Sequence, residues 1–351
     1  MDLALELAWR GWGRVHPNPL VGAVVLADGA VVGQGWHAEY GDRHAEPIAL
    51  ESAGDRARGS TLVVTLEPCD HRAKQPPCTE AIQRAGVRRV VAAIADPNPE
   101  ARGGAARLGA AGVEIQLGLG RETAAAQNAA FLYRFRNSSR PFVALKLATT
   151  LDGRIADLAG HSRWISGDQA RNYVHWLRAG YDAIGVGGRT ARLDNPRLTA
   201  RGAVSPRVPP RRVVFDPNGD LDPGLTLLAT ARETPTTVVA GPAIPEHLAA
   251  RHERAGATVI RATSLEEALR TLRAEGVTSM LFEGGGRLAG ALLGQGLVDR
   301  YYWVQSPLWL GERGVPAVAG LPSDPIARAA RWTVVERRAL GDDTLLVLDR
   351  G

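Results

Sequence analysis

The sequence predicts an α/β protein of two domains, and three observations carry that expectation. The chain has 351 residues, more than one ordinary core accommodates. Short apolar runs rich in Val and Ile alternate with segments of helical character, from Val21 to Gln305. Such alternation predicts a sheet covered by helices on both faces. A polar Arg-Asn-Ser-Ser-Arg joint at 136–140 precedes Pro141 and a new apolar run. That joint places a boundary near residue 140, dividing the chain into 1–140 and 141–351.

Composition narrows the function classes. Hydrophobic residues make up 45% and charged residues 23%, as in an ordinary soluble globular protein. The net charge of +5 comes mostly from arginines spread along the chain. Dispersed arginine suits small anionic substrates and, without a basic block, argues against nucleic acid. An aromatic content of 5% is too low for a set of base-stacking platforms. No apolar run approaches the roughly 18 residues of a membrane span, and the first 20 residues hold no signal-peptide core. Two cysteines with no disulfide framework fit a reducing cytoplasm.

In the first half, residues 2–12 read as a helix with Asp2 as N-cap. His16-Pro17-Asn18-Pro19 breaks it with a stiff turn that presents the Asn18 amide and the His16 ring; a plain loop is the alternative. Val21–Leu26 and Ala30–Gly35 flank Asp28-Gly29, a hairpin signal. Pro47 is tolerated only in a first helical turn, so His44 and Glu46 stand at a helix N-terminus. Thr61–Leu66 is a strand that runs out into Glu67-Pro68-Cys69, and Cys78 opens a helix ending near Gly86. Arg88–Ala95 and Val113–Leu117 continue the β/α alternation.

The chemistry of this half lies in His44, Glu46, Cys69 and Cys78. Zn²⁺ favours nitrogen and sulfur donors, and a catalytic site keeps three protein ligands so that water can take the fourth place. His44, Cys69 and Cys78 supply those three, and Glu46 is free to move protons. Zinc deaminases carry an H-x-E…P-C-x-x-C signature; here eight residues separate the cysteines. A structural pair of small buried thiols is the alternative. Against it, these are the only cysteines in the chain. A thiol at a helix N-terminus is favoured as thiolate, which suits Cys78. A structural zinc prefers a fourth protein ligand, and His71 is the nearest rival.

Pro17-Asn18-Pro19-Leu20-Val21-Gly22, His44-Ala45-Glu46, Thr65-Leu66-Glu67-Pro68-Cys69-Asp70-His71 and Pro76-Pro77-Cys78 resemble the deaminase half of the bifunctional riboflavin-biosynthesis deaminase–reductases. Asp96-Pro97-Asn98-Pro99 and Gly103 fit as well, and the resemblance runs through almost the whole chain. It implies a cytidine-deaminase-like three-layer α/β/α domain followed by a dihydrofolate-reductase-like α/β domain. It further implies a hydrolase that removes the C2 amine of 2,5-diamino-6-ribosylamino-4(3H)-pyrimidinone 5′-phosphate. By that resemblance His44, Cys69 and Cys78 bind zinc, Glu46 shuttles protons, and Asn18 and His71 touch substrate. The family carries a small residue, mostly Ser, where Asp70 stands, and often His-Gly-Arg-Thr where His71 to Gln75 stand. Lys74 keeps a positive charge that could meet the phosphate; a surface lysine is the alternative.

In the second half, Gly120 to Arg140 reads as one helix followed by the polar joint. Phe142–Ala148 alternates as a strand, with Lys146 opposite Leu145 and Leu147. The helix carrying Val174, Leu177 and Arg178 takes Ser166 or Asp168 as its cap. Asp182–Val186 is a buried strand ending at Gly187-Gly188, which reads as a turn. Strands follow at 211–216, 236–240, 257–261, 279–283 and 301–305. Glu283-Gly284-Gly285-Gly286 leaves a strand and opens the helix Leu288–Leu293, so its amides can receive phosphate oxygens. No G-x-G-x-x-G stands after a strand, so a standard Rossmann reading is weak.

These segments resemble the reductase half of the same family. The resemblance implies NADPH contacts at Ala148, Trp164, Thr190, Asp194 and at Gly285, Gly286, Arg287, Leu288, Ala289, Gly290 and Ala291. It implies substrate contacts at Ser162, Arg178, Leu198, Arg201 and Glu283. The implied oxidoreductase step turns the ribose of 5-amino-6-(5-phosphoribosylamino)uracil into ribitol, with Arg178 and Arg201 suited to its phosphate. A homodimer or homotetramer is implied too. Two rival readings are a base or tRNA-adenosine deaminase with an unrelated C-terminal domain, and a zinc-stabilised binding module without activity.

Overall fold

Two compact units divide the chain at 137/138. The structure, a computed structural model, describes residues 1–72, 75–136, 138–322 and 325–351; Lys74 lies outside the described residues. In the first unit the elements run α1 (Asp2–Ala8), β1 (Gly22–Ala27), β2 (Ala30–Trp36), α2 (Ala45–Ala53), β3 (Thr61–Val64) and α3 (Cys78–Ala85). They continue through β4 (Arg89–Ala92), α4 (Gly104–Ala110), β5 (Glu114–Leu117), α5 (Arg121–Gln127) and α6 (Ala129–Arg134).

The sheet order is β2-β1-β3-β4-β5. β1 runs antiparallel to both β2 and β3, and β3, β4 and β5 are parallel. Successive side chains of β1 point to opposite faces. Val24 packs with Ala4 and Leu7 of α1, whereas Ala23 and Val25 pack with Ala45 and Ala49 of α2. The result is three layers, α/β/α. Gly35 permits the close seat of α2, because a Cβ there would lie 2.4 Å from the Ala45 carbonyl oxygen. That contact presses the start of α2, and with it His44, against the sheet.

The second unit runs β6 (Phe142–Thr150), β7 (Arg154–Ala156), α7 (Asp168–Ala179), β8 (Ala183–Gly187), α8 (Gly188–Asp194), β9 (Arg211–Phe215) and α9 (Thr226–Ala229). Next come β10 (Thr236–Ala240), α10 (Glu246–Ala255), β11 (Thr258–Arg261), α11 (Leu265–Ala274), β12 (Ser279–Glu283) and α12 (Gly286–Gly294). Last are β13 (Arg300–Ser306), β14 (Val315–Pro316), β15 (Trp332–Leu340) and β16 (Asp343–Arg350). Nine strands form one sheet in the order β11-β10-β9-β8-β12-β6-β13-β16-β15. Seven are parallel, and β16 and β15 close the edge as an antiparallel hairpin. Leu145, Val213 and Phe282 pack on one face with Leu269 and Leu272 of α11 and Leu292 of α12. On the other face Ala144, Ile184, Val214 and Leu281 are equally buried. β12 returns between β8 and β6, so the winding reverses there. Ligands of open α/β sheets bind outside the carboxyl ends of strands at such a reversal.

Several sequence expectations need correction. The first α-helix stops at Ala8, continued by a 3₁₀ turn to Gly11; Met1 precedes it, and Asp2 sits in the first turn without a capping bond. The single helix expected from Gly120 is two, α5 and α6, broken at Asn128. The Asn128 side chain leaves the helical pattern to bond the backbone of Leu20, accepting from its N–H at 2.8 Å and donating to its carbonyl at 3.0 Å. Neither Ser166 nor Asp168 caps α7; Gly167 does, and its N–H donates to Asp343 Oδ2 at 2.7 Å. The Gly187-Gly188 turn opens a helix, α8. The final hairpin β15–β16 lies beyond the last strand expected from sequence.

Candidate active sites

The first site assembles where helices begin and a strand ends. His44 immediately precedes α2, Cys78 is the first residue of α3, and Cys69 lies in the loop after β3. His44 Nδ1 stands 3.3 Å from Cys78 Sγ and 3.5 Å from Cys69 Sγ. All three donor atoms lie within 4.8 Å of one another. A tetrahedral Zn²⁺ with its usual bond lengths holds neighbouring nitrogen and sulfur ligands about 3.6 Å apart. The donors are therefore spaced as one ion would space them. His71 is not in this group, the only one of its kind among the described residues.

Charge is already prepared here. The hydrogen bond from the Cys78 thiol pushes Cys69 down to about 4, against burial and with help from His44 and the Cys78 amide. The same shared proton, together with burial, pushes Cys78 up. Glu46, 3% exposed, has its carboxyl pushed up to about 7 by burial and by the Cys69 charge. A carboxyl titrating there can both take and give a proton.

A cavity of about 250 Å³ opens on these groups, lined also by Asn18, His37, His71 and Arg134. His37 Nδ1 lies 3.1 Å from the Arg43 carbonyl oxygen. A carbonyl only accepts, so Nδ1 carries the proton and Nε2 accepts. Asn18 Nδ2 donates to that Nε2 at 3.0 Å, which leaves its amide oxygen for another donor. His71 reaches the cavity with a buried Nδ1 that has no partner among the described residues. His16 does not line it.

Two carboxylates that sequence reasoning gave no role hold the loops. Glu67, 8% exposed, accepts from the amides of Asp96 at 3.0 Å, Gly103 at 3.2 Å and Ala105 at 3.0 Å. The one available signal was an acidic residue directly after an apolar strand. Asp70 accepts from Thr79 Oγ1 at 2.7 Å and Arg107 Nη1 at 2.6 Å. Asp70 therefore ties the Cys69 loop to α3 and α4. Gln75 Nε2 donates to the Gly41 carbonyl at 3.2 Å.

The second site lies at the carboxyl ends of β6, β8 and β12. Glu283 closes β12 and pairs in register with Lys146 of β6. Arg178 of α7 grips Glu283 bidentately, with Nε at 2.6 Å and Nη2 at 2.7 Å, while Nη1 donates to the Thr199 carbonyl at 3.1 Å. Both side chains are 12% exposed. Burial pushes the Glu283 carboxyl up, yet Arg178 pulls it below its ordinary value overall. The Arg178 fork is committed to Glu283, so of the two arginines expected on the phosphate only exposed Arg201 is available. Its Nη2 lies 3.4 Å from His175 Nε2. Lys146 was given no role from sequence, although a lysine inside an apolar parallel strand is a signal. Burial pushes its ammonium down, with Glu283 opposing.

The glycine turn after β12 adopts φ of 70° at Gly284 and 83° at Gly285. It is roofed by Thr190 of α8, whose Oγ1 would lie 3.0 Å from a Cβ on Gly285. Ala148 stands near the end of β6. Asp194 closes α8, accepts a hydrogen bond from the Ser162 side chain and offers its carbonyl to Arg163 at 3.2 Å. Trp164 is 70% exposed, with the Arg171 guanidinium 4.4 Å above its ring. Leu198 is buried at φ 49°. Within α12 the expected contacts divide. Arg287 is exposed and Leu288 and Ala291 are half-buried, whereas Ala289 lies in the core. Gly286 and Gly290 seat the helix on β14 and the segment that follows it, since a Cβ on Gly286 would lie 2.3 Å from the Pro316 carbonyl oxygen and one on Gly290 2.1 Å from that of Ala319.

Comparison with known proteins covers both units. Residues 1–94 match the cytidine and deoxycytidylate deaminase zinc-binding region, and 141–346 match the RibD C-terminal domain. Riboflavin biosynthesis protein RibD of Escherichia coli is 39% identical, across 99% of this chain and 98% of its own. The Aquifex aeolicus protein of the same name is 37% identical, across 100% and 97%. A crystal structure of a diaminohydroxyphosphoribosylaminopyrimidine deaminase/5-amino-6-(5-phosphoribosylamino)uracil reductase from Thermotoga maritima superposes with a TM-score of 0.83. It is 35% identical, over 100% of this chain and 97% of that one. The first unit is thus cytidine-deaminase-like and the second a dihydrofolate-reductase-like domain of the RibD type, which excludes an unrelated C-terminal domain. From end to end, the chain belongs to the RibD family of riboflavin-biosynthesis proteins.

Proposed function

We propose that the chain deaminates 2,5-diamino-6-ribosylamino-4(3H)-pyrimidinone 5′-phosphate in its first 140 residues. In residues 141–351 it then reduces the ribosyl group of the product to ribityl with NADPH. The observation that carries the reading is the convergence of His44, Cys69 and Cys78 beside buried Glu46 in one cavity. The donor spacing fits zinc, and His44, Cys69 and Cys78 would hold it. When bound, zinc supplies the Lewis acidity that makes water a nucleophile near neutral pH. Glu46 takes the proton of the attacking water and returns it to the departing amine. Asn18 offers its oxygen to a donor on the substrate, and His71 lines the same cavity.

In the reductase the reversal between β8, β12 and β6 forms the cofactor crevice. The turn at Gly284-Gly285, under Thr190, offers amides at the start of α12 to cofactor phosphate. When bound, NADPH supplies the hydride. Lys146, its ammonium weakened by burial beside Glu283, donates a proton as the sugar opens. Arg201 takes the substrate phosphate. No helix among the described residues is long and apolar enough to cross a membrane, and two free thiols suit the cytoplasm. Assembly as a homodimer or homotetramer rests on the family resemblance alone and is checked by sizing. The test of the whole reading is ammonia release from the pyrimidine phosphate by zinc-loaded protein, followed by NADPH oxidation. If zinc is absent from active protein, the deaminase reading falls; if NADPH is not oxidised, the reductase reading falls.

A further inference from the structure

The segment that carries Arg201 is held in a backbone shape it would not choose alone. Leu198, 2% exposed, sits at φ 49°. A side chain of that size rarely adopts this left-handed conformation, which persists only where the surroundings impose it. Helix α7 supplies the restraint. The Thr199 carbonyl accepts from His175 Nδ1 at 3.2 Å and from Arg178 Nη1 at 3.1 Å. Both donors stand on α7 one turn apart, on the same face. Arg178 is in turn locked on Glu283. A continuous chain of bonds thus runs from the end of β12 to the Arg201 segment.

His175 does more than fasten that segment. A carbonyl only accepts, so Nδ1 carries the proton and, in the neutral ring, Nε2 presents a lone pair. That lone pair meets Arg201 Nη2 at 3.4 Å. An imidazole lone pair aims a guanidinium without cancelling its charge, as a carboxylate would. The charged groups facing His175 are Arg178 on α7, Arg201 itself and Glu283 at the end of β12. Burial, then Arg178 and Arg201, push the imidazole down from its ordinary value, against the Thr199 bond and Glu283. The ring is therefore neutral near pH 7 and becomes charged in acid. Once protonated, Nε2 has no lone pair to offer and repels the guanidinium.

We infer that His175 is a positioning residue of the reductase site: its Nε2 aims the Arg201 guanidinium at the substrate phosphate, and protonation of the ring releases that aim. The inference rests on the reductase reading above and adds a residue outside the expected contacts. It makes acid weaken substrate binding and leave hydride transfer alone.

The test is NADPH oxidation on the deaminated pyrimidine phosphate by wild type, H175N, H175Q, R201A and the H175N/R201A double variant, with melting temperatures alongside. An asparagine amide takes the place of Nδ1 and keeps the Thr199 bond. A glutamine amide reaches the place of Nε2 and offers Arg201 an oxygen that does not titrate. At neutral pH, H175N should raise the KM about threefold or more, the scale of one modest hydrogen bond, with kcat within about twofold. H175Q should stay near wild type, and in the R201A background H175N should add nothing. As pH falls from neutral to about 5.5, the KM of wild type should climb more steeply than that of H175Q. The substrate phosphate, which titrates near about pH 6, contributes equally to both. Should H175N fold poorly, the pH limbs of wild type and H175Q decide alone. The reverse order, with H175N like wild type and H175Q impaired, would show that His175 only holds Thr199 and would overturn the inference. Additive losses in the double variant, or parallel pH limbs, would overturn it as well. Failure of the wild type to oxidise NADPH overturns the reductase reading itself, a result distinct from these.

Discussion

Replacing Gly104 by alanine tests whether the two sulfur ligands are held as the structure places them. Gly104 opens α4, and its backbone angles are ones any residue can adopt. Alanine is the better helix former, by roughly 1 kcal/mol in a helix interior. Helical propensity alone thus makes G104A harmless or mildly favourable. The surroundings say the opposite. A Cβ at Gly104 would lie 1.8 Å from the Pro68 carbonyl oxygen and 3.1 Å from Thr79 Cγ2, where contacts under 3.0 Å essentially never occur. Backbone must give way by about 1.2 Å, and the atoms pressed belong to the neighbours of Cys69 and Cys78. Zinc sites tolerate only about 0.2 Å of departure in ligand distance. G104A is therefore expected to weaken zinc binding by at least about tenfold, the range seen when support behind a ligand is lost. Overpacking should cost a further 1–3 kcal/mol or so of stability. G109A on the same helix is the control, since its Cβ meets only Ile115 Cγ1 at 3.7 Å. Zinc competition against a chromophoric chelator, thermal melting and ammonia release read the pair. If G104A holds zinc as tightly as G109A and melts with it, the close approach of α4 to the Cys69 loop is wrong.

Three further outcomes follow from the sites. E46Q should keep its zinc and still oxidise NADPH on the deaminated intermediate, but lose ammonia release by about 100-fold or more; normal deamination would remove Glu46 from the proton path. R201A should raise the KM of the reduction alone by about tenfold, and equal damage to both steps would argue against separate sites. Glu283 gives a pH signature. Its folded value lies below the ordinary one, so its pairing with Arg178 stabilises the fold above the unfolded carboxylate value of about 4.3. That contribution disappears as pH falls through the lower folded value. The melting temperature of wild type should thus drop on acidification, and E283Q should flatten that limb. E283Q should also lose about 3–5 kcal/mol near neutral pH, because Arg178 is left buried without its partner. Parallel acid limbs for the two proteins would sink the assignment.

How much of this was legible in the sequence depended on whether a residue's partners were near in the chain. The zinc donors were legible because the chain spends its only two cysteines within ten positions of each other, after His-Ala-Glu. Parallel strands such as β8 and β12 were legible as apolar runs, since burial on both faces removes polar residues. The role of Glu67 was not, because its partners are amides 29 to 38 residues further on. No local pattern marks a carboxylate that waits for three remote N–H groups. Asn128 misled for a related reason. In a helical stretch it reads as one more polar residue, yet its amide copies a strand partner for Leu20 and splits the helix. The α12 glycines carry a constraint that no local pattern shows. Gly286 and Gly290 read as part of a phosphate-binding run, and the carbonyls of Pro316 and Ala319 also come too close there for a side chain. In β15–β16 the signals were present: Leu345 and Val347 alternate inward beyond a Gly341-Asp342 turn.

The two sites share a physical logic. Each lies where parallel strands end and helices begin, at β3 with α2 and α3 in one unit and at β6, β8 and β12 with α8 and α12 in the other. Strand ends leave backbone groups without sheet partners, and helix starts leave N–H groups without helical ones. Such places favour negative ligands, whether thiolate or phosphate. The same places would also draw in the protein's own carboxylates, and the structure deals with these one by one. Glu67 is consumed by three amides, Asp70 by Thr79 and Arg107, and Glu283 by Arg178. Glu46 has no such fixed cation or set of amides, and burial lifts its carboxyl to about 7. A carboxylate given strong partners becomes structure; one denied them keeps a proton it can exchange. That difference in hydrogen bonding, and not residue type, separates the acid that can act on substrate from the three that hold the walls.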